Sequence, residues 1–335
     1  MLIHNNERFI ANSEFAKDVE SGLLQKQKRI SPKFFYDKKG SKLFEEICIQ
    51  SEYYLNRAES QILKKSVDKI LEIIGNEEIS LVELGNGNSL KTRILLDPMI
   101  AGLRSVSYFP IDVSGKMLKK SITDLFREYV NLKIYGVCSD YVAGLVKINE
   151  FMKFKKNVPK KKFIVFLGSS IGNFDPKDAV VFLRGIARYI RKDDFLLIGV
   201  DLEKDKSILD RAYNDKNGIT AKFNLNVLSR INRELGGQFN VSNFKHESFY
   251  NTNKHRIEMH LISKKDHQVR IRAIGKTFHF KKGETIHTEN SYKYSLSRFN
   301  KVLGISGLKV VRNFVDPKKQ YTLVLIKKIP NTAKS

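Results

Sequence analysis

LVELGNGNSLKTR, residues 81–93, is the stretch whose reading decides the fold. A short apolar run, 79–84, carries the acid Glu83 near its end and is followed at once by Gly85 and Gly87. Glycines at that place let the backbone turn sharply out of a strand and approach a ligand closely. A helix is then expected over 91–96. A lone Gly-x-Gly is weak, and an ordinary strand, turn and helix cap would look the same. What strengthens it is Asp112 at the end of the next strand, 106–113, where an acid can hydrogen-bond the two ribose hydroxyls of a nucleotide. Asp140 and Tyr141 follow the third strand, 133–138, where an adenine edge and face would lie. Three successive strand ends thus offer polar groups to one crevice.

Working outward, strands and helices alternate. Apolar residues Ile62, Leu63, Val67, Ile70, Leu71 and Ile74 recur at helical spacing over 57–74, and Met117, Leu118, Ile122, Leu125 and Phe126 do so over 116–129. The fourth strand, 163–167, is wholly apolar, as a central parallel strand should be. Asp175 precedes Pro176, a helix-start signal, and that helix should run to about residue 191 before a strand at 195–201. This alternation implies α/β architecture with a doubly wound, mostly parallel sheet. After about residue 202 the pattern changes to a helix, 224–235, and strands near 257–263, 268–274 and 276–280. The chain closes with a helix at 295–303 and strands at 308–314 and 321–327. The division expected is a nucleotide-binding core of 58–203 plus 293–330 and an inserted α+β lobe of 1–57 plus 204–292. NAD would want a third glycine where Leu90 stands, and no Gly-Lys-Ser phosphate loop is present. The spacing favours S-adenosylmethionine over NAD.

Composition narrows the setting. With 335 residues, 41% of them hydrophobic, the chain can bury a large core, and a charged fraction of 29% argues against bulk disorder. The apolar runs are too short to span a bilayer, and the N-terminus lacks a basic flank followed by an apolar stretch, so neither a membrane nor a secretory signal is expected. Cys48 and Cys138 have no neighbour at metal or redox spacing, which fits a reduced, cytoplasmic setting. The net charge of +24 favours polyanions in principle, but the lysines are spread along the chain. A generally solvated basic surface is read here, with no nucleic-acid site. Six of seven histidines fall between His246 and His287, yet HRIEMH is not His-Glu-x-x-His, so no metal is expected.

Seven segments resemble one family: SPKFFYDKKGSKLFEEI (31–47), SEYYLNRAE (51–59), LVELGNGNSLKTR, FLGSSIGNF (166–174), RAYNDKNGITAKFNLNVL (211–228), RIEMHL (256–261) and GETIHTENSYKY (283–294). It is the histidine Nα-methyltransferases of ergothioneine biosynthesis, and the resemblance runs from about residue 31 to 327. It implies a Rossmann-like class I methyltransferase core with an inserted substrate-binding lobe. It also implies S-adenosylmethionine as cofactor, L-histidine as substrate and hercynine as product; a monomer is expected, apart from the resemblance. Position by position, Gly85, Lys91, Asp112, Asp140 and Tyr141 are expected at the cofactor. Tyr53, Asn173 and Tyr213 are expected at the amino-acid end of the substrate, Tyr36 at the reaction centre, and Met259, Glu289 and Ser291 around the substrate side chain. Tyr36, Asn173 and Tyr213 are the catalytic set. A carboxylate and a hydroxyl suit the two imidazole nitrogens, and residues two apart on a strand face the same way. By that alternation His287 shares the face of Glu289.

Departures touch selectivity more than chemistry. Asn86 and Asn88 stand where small hydroxyl residues are usual, Leu55-Asn56-Arg57 replaces Pro-Thr-Arg, and RNFVDP (312–317) replaces a tryptophan-containing segment. An amide can still hydrogen-bond, so cofactor binding is expected to survive. Another amino acid, such as a tryptophan derivative, is the competing substrate, and a nucleic-acid methyltransferase the more distant rival.

Overall fold

A computed structural model of the chain describes residues 2–3, 8–87, 89–102 and 105–330. The chain divides into two compact units: Met1–Asn5, Leu55–Glu203 and Lys293–Ser335 form the first, and Asn6–Tyr54 with Lys204–Tyr292 the second. Leu2–Ile3 pair with Gly136–Val137 of the first unit rather than grouping with residues 8–54, because the sheet edge there is open to one more strand.

The first unit is built on a nine-stranded sheet. Edge to edge it runs Leu2–Ile3, Gly136–Cys138, Val106–Asp112, Ile79–Leu84, Lys162–Phe166, Phe195–Asp201, Tyr321–Lys328, Leu308–Val315, with Lys133–Ile134 also beside Val106–Asp112. The third strand of the sequence reading is therefore two short pieces around Tyr135. Pairing is parallel from the Leu2 edge to the Phe195 strand, and the final hairpin is antiparallel. Ile79–Leu84, Lys162–Phe166 and Phe195–Asp201 are buried along their whole lengths, which is why they read as apolar runs. Two lysines are interior and paired: Lys162 with Asp194 at 3.1 Å, and Lys293 with Asp201 at 2.8 Å. No helix among the described residues is long and apolar enough to cross a membrane.

The second unit carries a four-stranded sheet, in the order Lys28–Arg29, Thr285–Tyr292, Arg256–Ser263, Phe244–Asn251, and a hairpin of His267–Ile271 with Lys276–Phe280. Helices Lys38–Cys48, Lys206–Tyr213 and Ile219–Leu235 belong to it. The first two, and the helix Tyr141–Phe154 of the first unit, are not foreseen in the sequence reading. Lys206–Tyr213 spans only 8 residues, too short for a periodic signal. Asp37 caps Lys38–Cys48, accepting from the Gly40 N–H at 2.7 Å. Gly40 has no alternative, because a Cβ there would run into the Phe35 carbonyl. Asp175 does precede Pro176 at the start of Pro176–Tyr189, but its side chain makes no capping hydrogen bond.

Candidate active site

At the glycine turn the backbone is left-handed at Gly85 (φ +78°), Gly87 (φ +50°) and Ser89 (φ +55°). The two glycines do different things. A Cβ on Gly85 would come within 3.1 Å of the Tyr141 hydroxyl, so that glycine makes room for the tyrosine ring. A Cβ on Gly87 would meet nothing within 4 Å, which leaves the backbone there open to a ligand. Asn86 turns inward and donates to Ser121 Oγ at 2.8 Å and Ser89 Oγ at 3.2 Å. Its carboxamide oxygen is buried with no hydrogen-bond partner among the described residues, a polar atom that a donor from a bound group would satisfy. Asn88 lies outside the described residues.

Asp112 ends its strand with one carboxylate oxygen accepting from the Ser114 N–H at 2.8 Å. Burial pushes its pKa up, and hydrogen bonds from the Ser114 and Gly87 N–H groups pull against that. Asp140 is the N-cap of Tyr141–Phe154, accepting from the Ala143 N–H at 2.9 Å, and Tyr141 opens that helix. The Tyr141 ring packs edge-on against Phe166 with centroids 5.3 Å apart, and burial, with the charge of Asp112 adding to it, raises its hydroxyl pKa. Lys91 does not stand alone, since its ammonium pairs with Glu59.

Glu59 is the residue that sequence reasoning missed. Its side chain is fully buried, and it accepts from the Gly168 N–H at 2.8 Å and the Tyr321 hydroxyl at 2.7 Å as well as from Lys91. A buried carboxylate is tolerable only with such a set of donors. Glu59 so ties its own helix to the turn after Lys162–Phe166, where Gly168 begins the loop that carries Asn173. Its only sequence signal is an acid inside an otherwise amphipathic helix. Asn173 ends the 3-10 turn Ser170–Asn173 and is half-buried. Glu83, beneath the glycine turn, accepts from Thr92 Oγ1 at 2.6 Å and from the Tyr108 hydroxyl. Burial drives its pKa up to about 7, against those two hydrogen bonds.

In the second unit a small, narrow cavity gathers Tyr36, Tyr53, Tyr213, Met259 and Glu289. Phe44, Ile47, Ala212, Thr220 and Phe223 complete its wall. Five segments far apart in sequence meet here. Tyr36 follows the 3-10 turn Pro32–Phe35 and packs edge-on against Phe44 (5.5 Å) and Phe223 (5.7 Å). Next to it Asp37 also receives Asn226 at 2.9 Å and Arg233 at 2.5 Å, which locks the turn to Ile219–Leu235. Burial pushes the Asp37 pKa up, but the bonds from Gly40, Arg233 and Asn226 outweigh it and the net shift is downward. Tyr53 and Tyr213 meet edge-on at 6.1 Å. Burial, followed by the neighbouring Tyr213, Cys48, Tyr36 and Glu289, raises the Tyr53 hydroxyl well above its ordinary pKa, so it stays protonated. The Tyr213 hydroxyl donates to Ser291 Oγ at 2.8 Å, and Ser291 is 3% exposed. Met259 and Glu289 are direct cross-strand partners. Phe44 and Phe223 are not singled out in the sequence, because an aromatic on an amphipathic helix looks the same whether it faces core or cavity. Asn173 belongs to the first unit and is not among the residues of this wall.

His287 departs from expectation. The register between the Arg256 and Thr285 strands slips between Met259 and His260, so Glu289 pairs with Met259 while His287 pairs with His260. The bulge at Thr288 breaks the alternation and takes His287 off the Glu289 face. Glu258, His260 and His287 then offer ligand atoms within 4.8 Å of one another. The two imidazoles are stacked, however, 4.7 Å apart and 17° from parallel, and Arg256 holds Glu258 at 2.7 Å. Glu258 is thus already paired by Arg256, and the two rings pack face to face.

Counted along the chain, the main strands of the first unit lie in the order 3-2-1-4-5-7-6 with strand 7 antiparallel. That order, the glycine turn and the strand-end acids define the class: a class I S-adenosylmethionine-dependent methyltransferase. The family model described as histidine-specific, SAM-dependent methyltransferase matches residues 15–328. A histidine N-alpha-methyltransferase of Mycobacterium tuberculosis is 38% identical over 93% of this chain and 94% of its own length. Ergothioneine biosynthesis protein 1 of Schizosaccharomyces pombe is 30% identical over 94% of this chain and 40% of its length. The L-tryptophan methyltransferase trpM of Psilocybe serbica is 28% identical over 87% of this chain and 86% of its length. The chain belongs to the histidine-specific, S-adenosylmethionine-dependent methyltransferase family.

Proposed function

We propose that this methyltransferase converts L-histidine to Nα,Nα,Nα-trimethylhistidine, hercynine, by three successive transfers to the α-amine. The observation that carries the reading is the cavity in which Tyr36, Tyr53, Tyr213, Met259 and Glu289 converge, with Ser291 bonded to Tyr213 behind it. The first unit takes the cofactor, on Gly85, Lys91, Asp112, Asp140 and Tyr141, and the second takes the amino acid. Tyr53, Tyr213 and Asn173 hold the carboxylate and amine, and Met259 packs on the side chain. Glu289 and Ser291 address the two imidazole nitrogens.

S-adenosylmethionine supplies an electrophilic methyl group: as the amine lone pair forms the new N–C bond, the S–C bond breaks and a neutral thioether leaves. The amine must be unprotonated to attack, and an α-amino group has a pKa of roughly 8 in a peptide. The substrate ammonium gives one proton to water before the first transfer, the first and second transfers each leave an N–H proton that water takes, and the third leaves a quaternary ammonium with none to lose. Tyr53, held protonated by burial, is a hydrogen-bonding group and not a base. Tyr36 steers the nitrogen, and positioning supplies most of the acceleration.

A tryptophan-like substrate is the second reading, favoured by the aromatic wall of Tyr36, Phe44 and Phe223. An indole has one N–H and no ring acceptor, whereas an imidazole offers two nitrogens to a carboxylate and a hydroxyl. Glu289 beside Ser291 therefore favours histidine. The enzyme acts as a monomer in the cytoplasm and without nucleic acid in this reading, its +24 charge being a solvated surface. Mass spectrometry of purified protein with S-adenosylmethionine and the twenty amino acids in one pool tests the proposal. Histidine gaining up to three methyl groups is the expected result. Methylation of another amino acid overturns the roles of Glu289 and Ser291, and cofactor binding with no product overturns the small-substrate reading.

A further inference from the structure

Behind Tyr213 lies a chain of hydrogen bonds that the proposed chemistry does not use. His246, on the strand Phe244–Asn251, places Nε2 3.0 Å from the Tyr213 carbonyl oxygen and Nδ1 2.9 Å from the Asn224 amide nitrogen. Asn224 is fully buried, and the same nitrogen lies 3.1 Å from the His260 carbonyl oxygen. Ser248 Oγ also donates to the Tyr213 carbonyl, at 3.0 Å. At its other end Tyr213 donates its hydroxyl to Ser291.

The partners fix every proton. A carbonyl oxygen can only accept, so His246 Nε2 carries a hydrogen. The His260 carbonyl likewise fixes which end of the Asn224 amide is nitrogen. The remaining hydrogen on that nitrogen points at Nδ1, which must therefore present its lone pair. The Asn224 oxygen is left buried without a partner among the described residues, as expected when two acceptors dictate the amide's orientation. We infer that His246 is a positioning residue for substrate binding: as the neutral Nε2–H tautomer it anchors the Tyr213 main chain and so aims the Tyr213 hydroxyl at Ser291 and the cavity.

Protonation at Nδ1 breaks this arrangement. It sets an N–H against the Asn224 amino group, and turning the amide to accept would point its oxygen at the His260 carbonyl. The titratable groups bearing on His246 are Asp215 beyond the Tyr213 helix, Glu247 on its own strand, and His260 on the paired strand. Burial keeps its pKa below the usual value, against the Tyr213 carbonyl bond and the two acids. The neutral form is thus the working form at neutral pH, and the anchor fails on acidification.

The inference rests on Tyr213 holding the substrate. His246→Ala is expected to raise the KM for histidine roughly tenfold with kcat changed less than threefold, a split that a general loss of folding does not produce. His246→Gln can donate to the Tyr213 carbonyl and accept from Asn224 but does not titrate. It is expected to restore most of the KM at pH 7.5. The ratio of wild-type to Gln-variant kcat/KM, which cancels the titration of the substrate, should be flat above the ordinary histidine value of about 6.5 and fall only on acidification below it. A ratio that stays flat down to the acid limit of the folded protein overturns the role of the neutral tautomer, and an unchanged KM in folded His246→Ala overturns the anchor. Tyr213→Phe separates the two levels. If it leaves the KM for histidine unchanged, the reading of Tyr213 fails. If it raises the KM while the His246 variants behave as wild type, only the present inference fails.

Discussion

The strand-end turn of the first unit and the cavity of the second both depend on acids and tyrosines in low-polarity surroundings, but they use them in opposite ways. Around the turn, two buried glutamates are consumed by the protein. Glu59 takes Lys91, the Gly168 N–H and the Tyr321 hydroxyl, and Glu83 takes Thr92 and Tyr108. In the cavity, Tyr36, Tyr53, Tyr213 and Glu289 surround open volume. In the proposed function Glu59 and Glu83 serve as scaffold, whereas Glu289, on the cavity wall, is the acid that meets the substrate. The contrast makes graded demands on mutants.

The scaffold side should break hardest. A Cβ on Gly199 would collide with both Glu59 Oε1 and the Tyr321 hydroxyl. Gly199→Ala must therefore displace a fully buried carboxylate from its donors, at a cost on the order of 3 kcal/mol or more. The thermal midpoint should drop by roughly 6–12 °C. A fall under about 2 °C would show that Glu59 can relax at little cost and is no scaffold.

Glu83 tests the same side through pH. Its folded pKa of about 7 lies above the ordinary glutamate value of 4.5, so the folded state holds a proton that the unfolded state has lost. The stability this provides is complete below the unfolded pKa and is lost as pH rises through about 7, at up to about 1.4 kcal/mol per unit. Glu83→Gln keeps an acceptor for Thr92 and Tyr108 but cannot ionise. The Gln variant should gain on wild type between about pH 4.5 and 7.5, by up to roughly 3 kcal/mol, and then run parallel. Denaturation midpoints of the two proteins with parallel pH profiles would refute the buried-acid account.

The two regions also differ in how much the sequence reveals. Ile79–Leu84, Lys162–Phe166 and Phe195–Asp201 are buried on both faces, so each reads as a mostly apolar run without polar alternation, and Gly85, Asp112 and Asp140 follow by position at successive strand ends. The cavity draws Tyr36, Tyr53, Tyr213, Met259 and Glu289 from five distant segments, and no local period encodes that meeting. Resemblance alone singled those residues out. Phe44, Phe223 and Glu59 stayed hidden because aromatic packing and amphipathic helix faces mask them. The place of His287 was misread because a one-residue bulge at Thr288 leaves no mark in an alternating pattern.

On the ligand side, Glu289→Ala should leave folding almost untouched and strike the substrate. A charged hydrogen bond to the imidazole is worth about 2–3 kcal/mol. Steady-state kinetics should show the KM for histidine rising roughly 30–150-fold, with the KM for the cofactor unchanged. Glu289→Ala that instead lowers the melting midpoint by more than about 5 °C with little effect on KM would move Glu289 to the scaffold class and erase the contrast.

Ser291 is the finest probe, because it stands on the boundary between the classes. Its hydroxyl is buried and accepts from Tyr213, which is scaffold behaviour, yet on the Thr285–Tyr292 strand it lies two residues from Glu289. Ser291→Ala removes one neutral hydrogen-bonding group, worth about 1 kcal/mol. It also releases the Tyr213 hydroxyl, which can turn to the substrate in compensation. The KM for histidine should therefore rise only about 3–10-fold, and Ser291→Ala with Tyr213→Phe should cost less than the sum of the two single changes, since each removes part of the same bond. Strict additivity would mean that Ser291 and Tyr213 contact the substrate independently. The bond between them would then be a resting arrangement that the bound amino acid displaces.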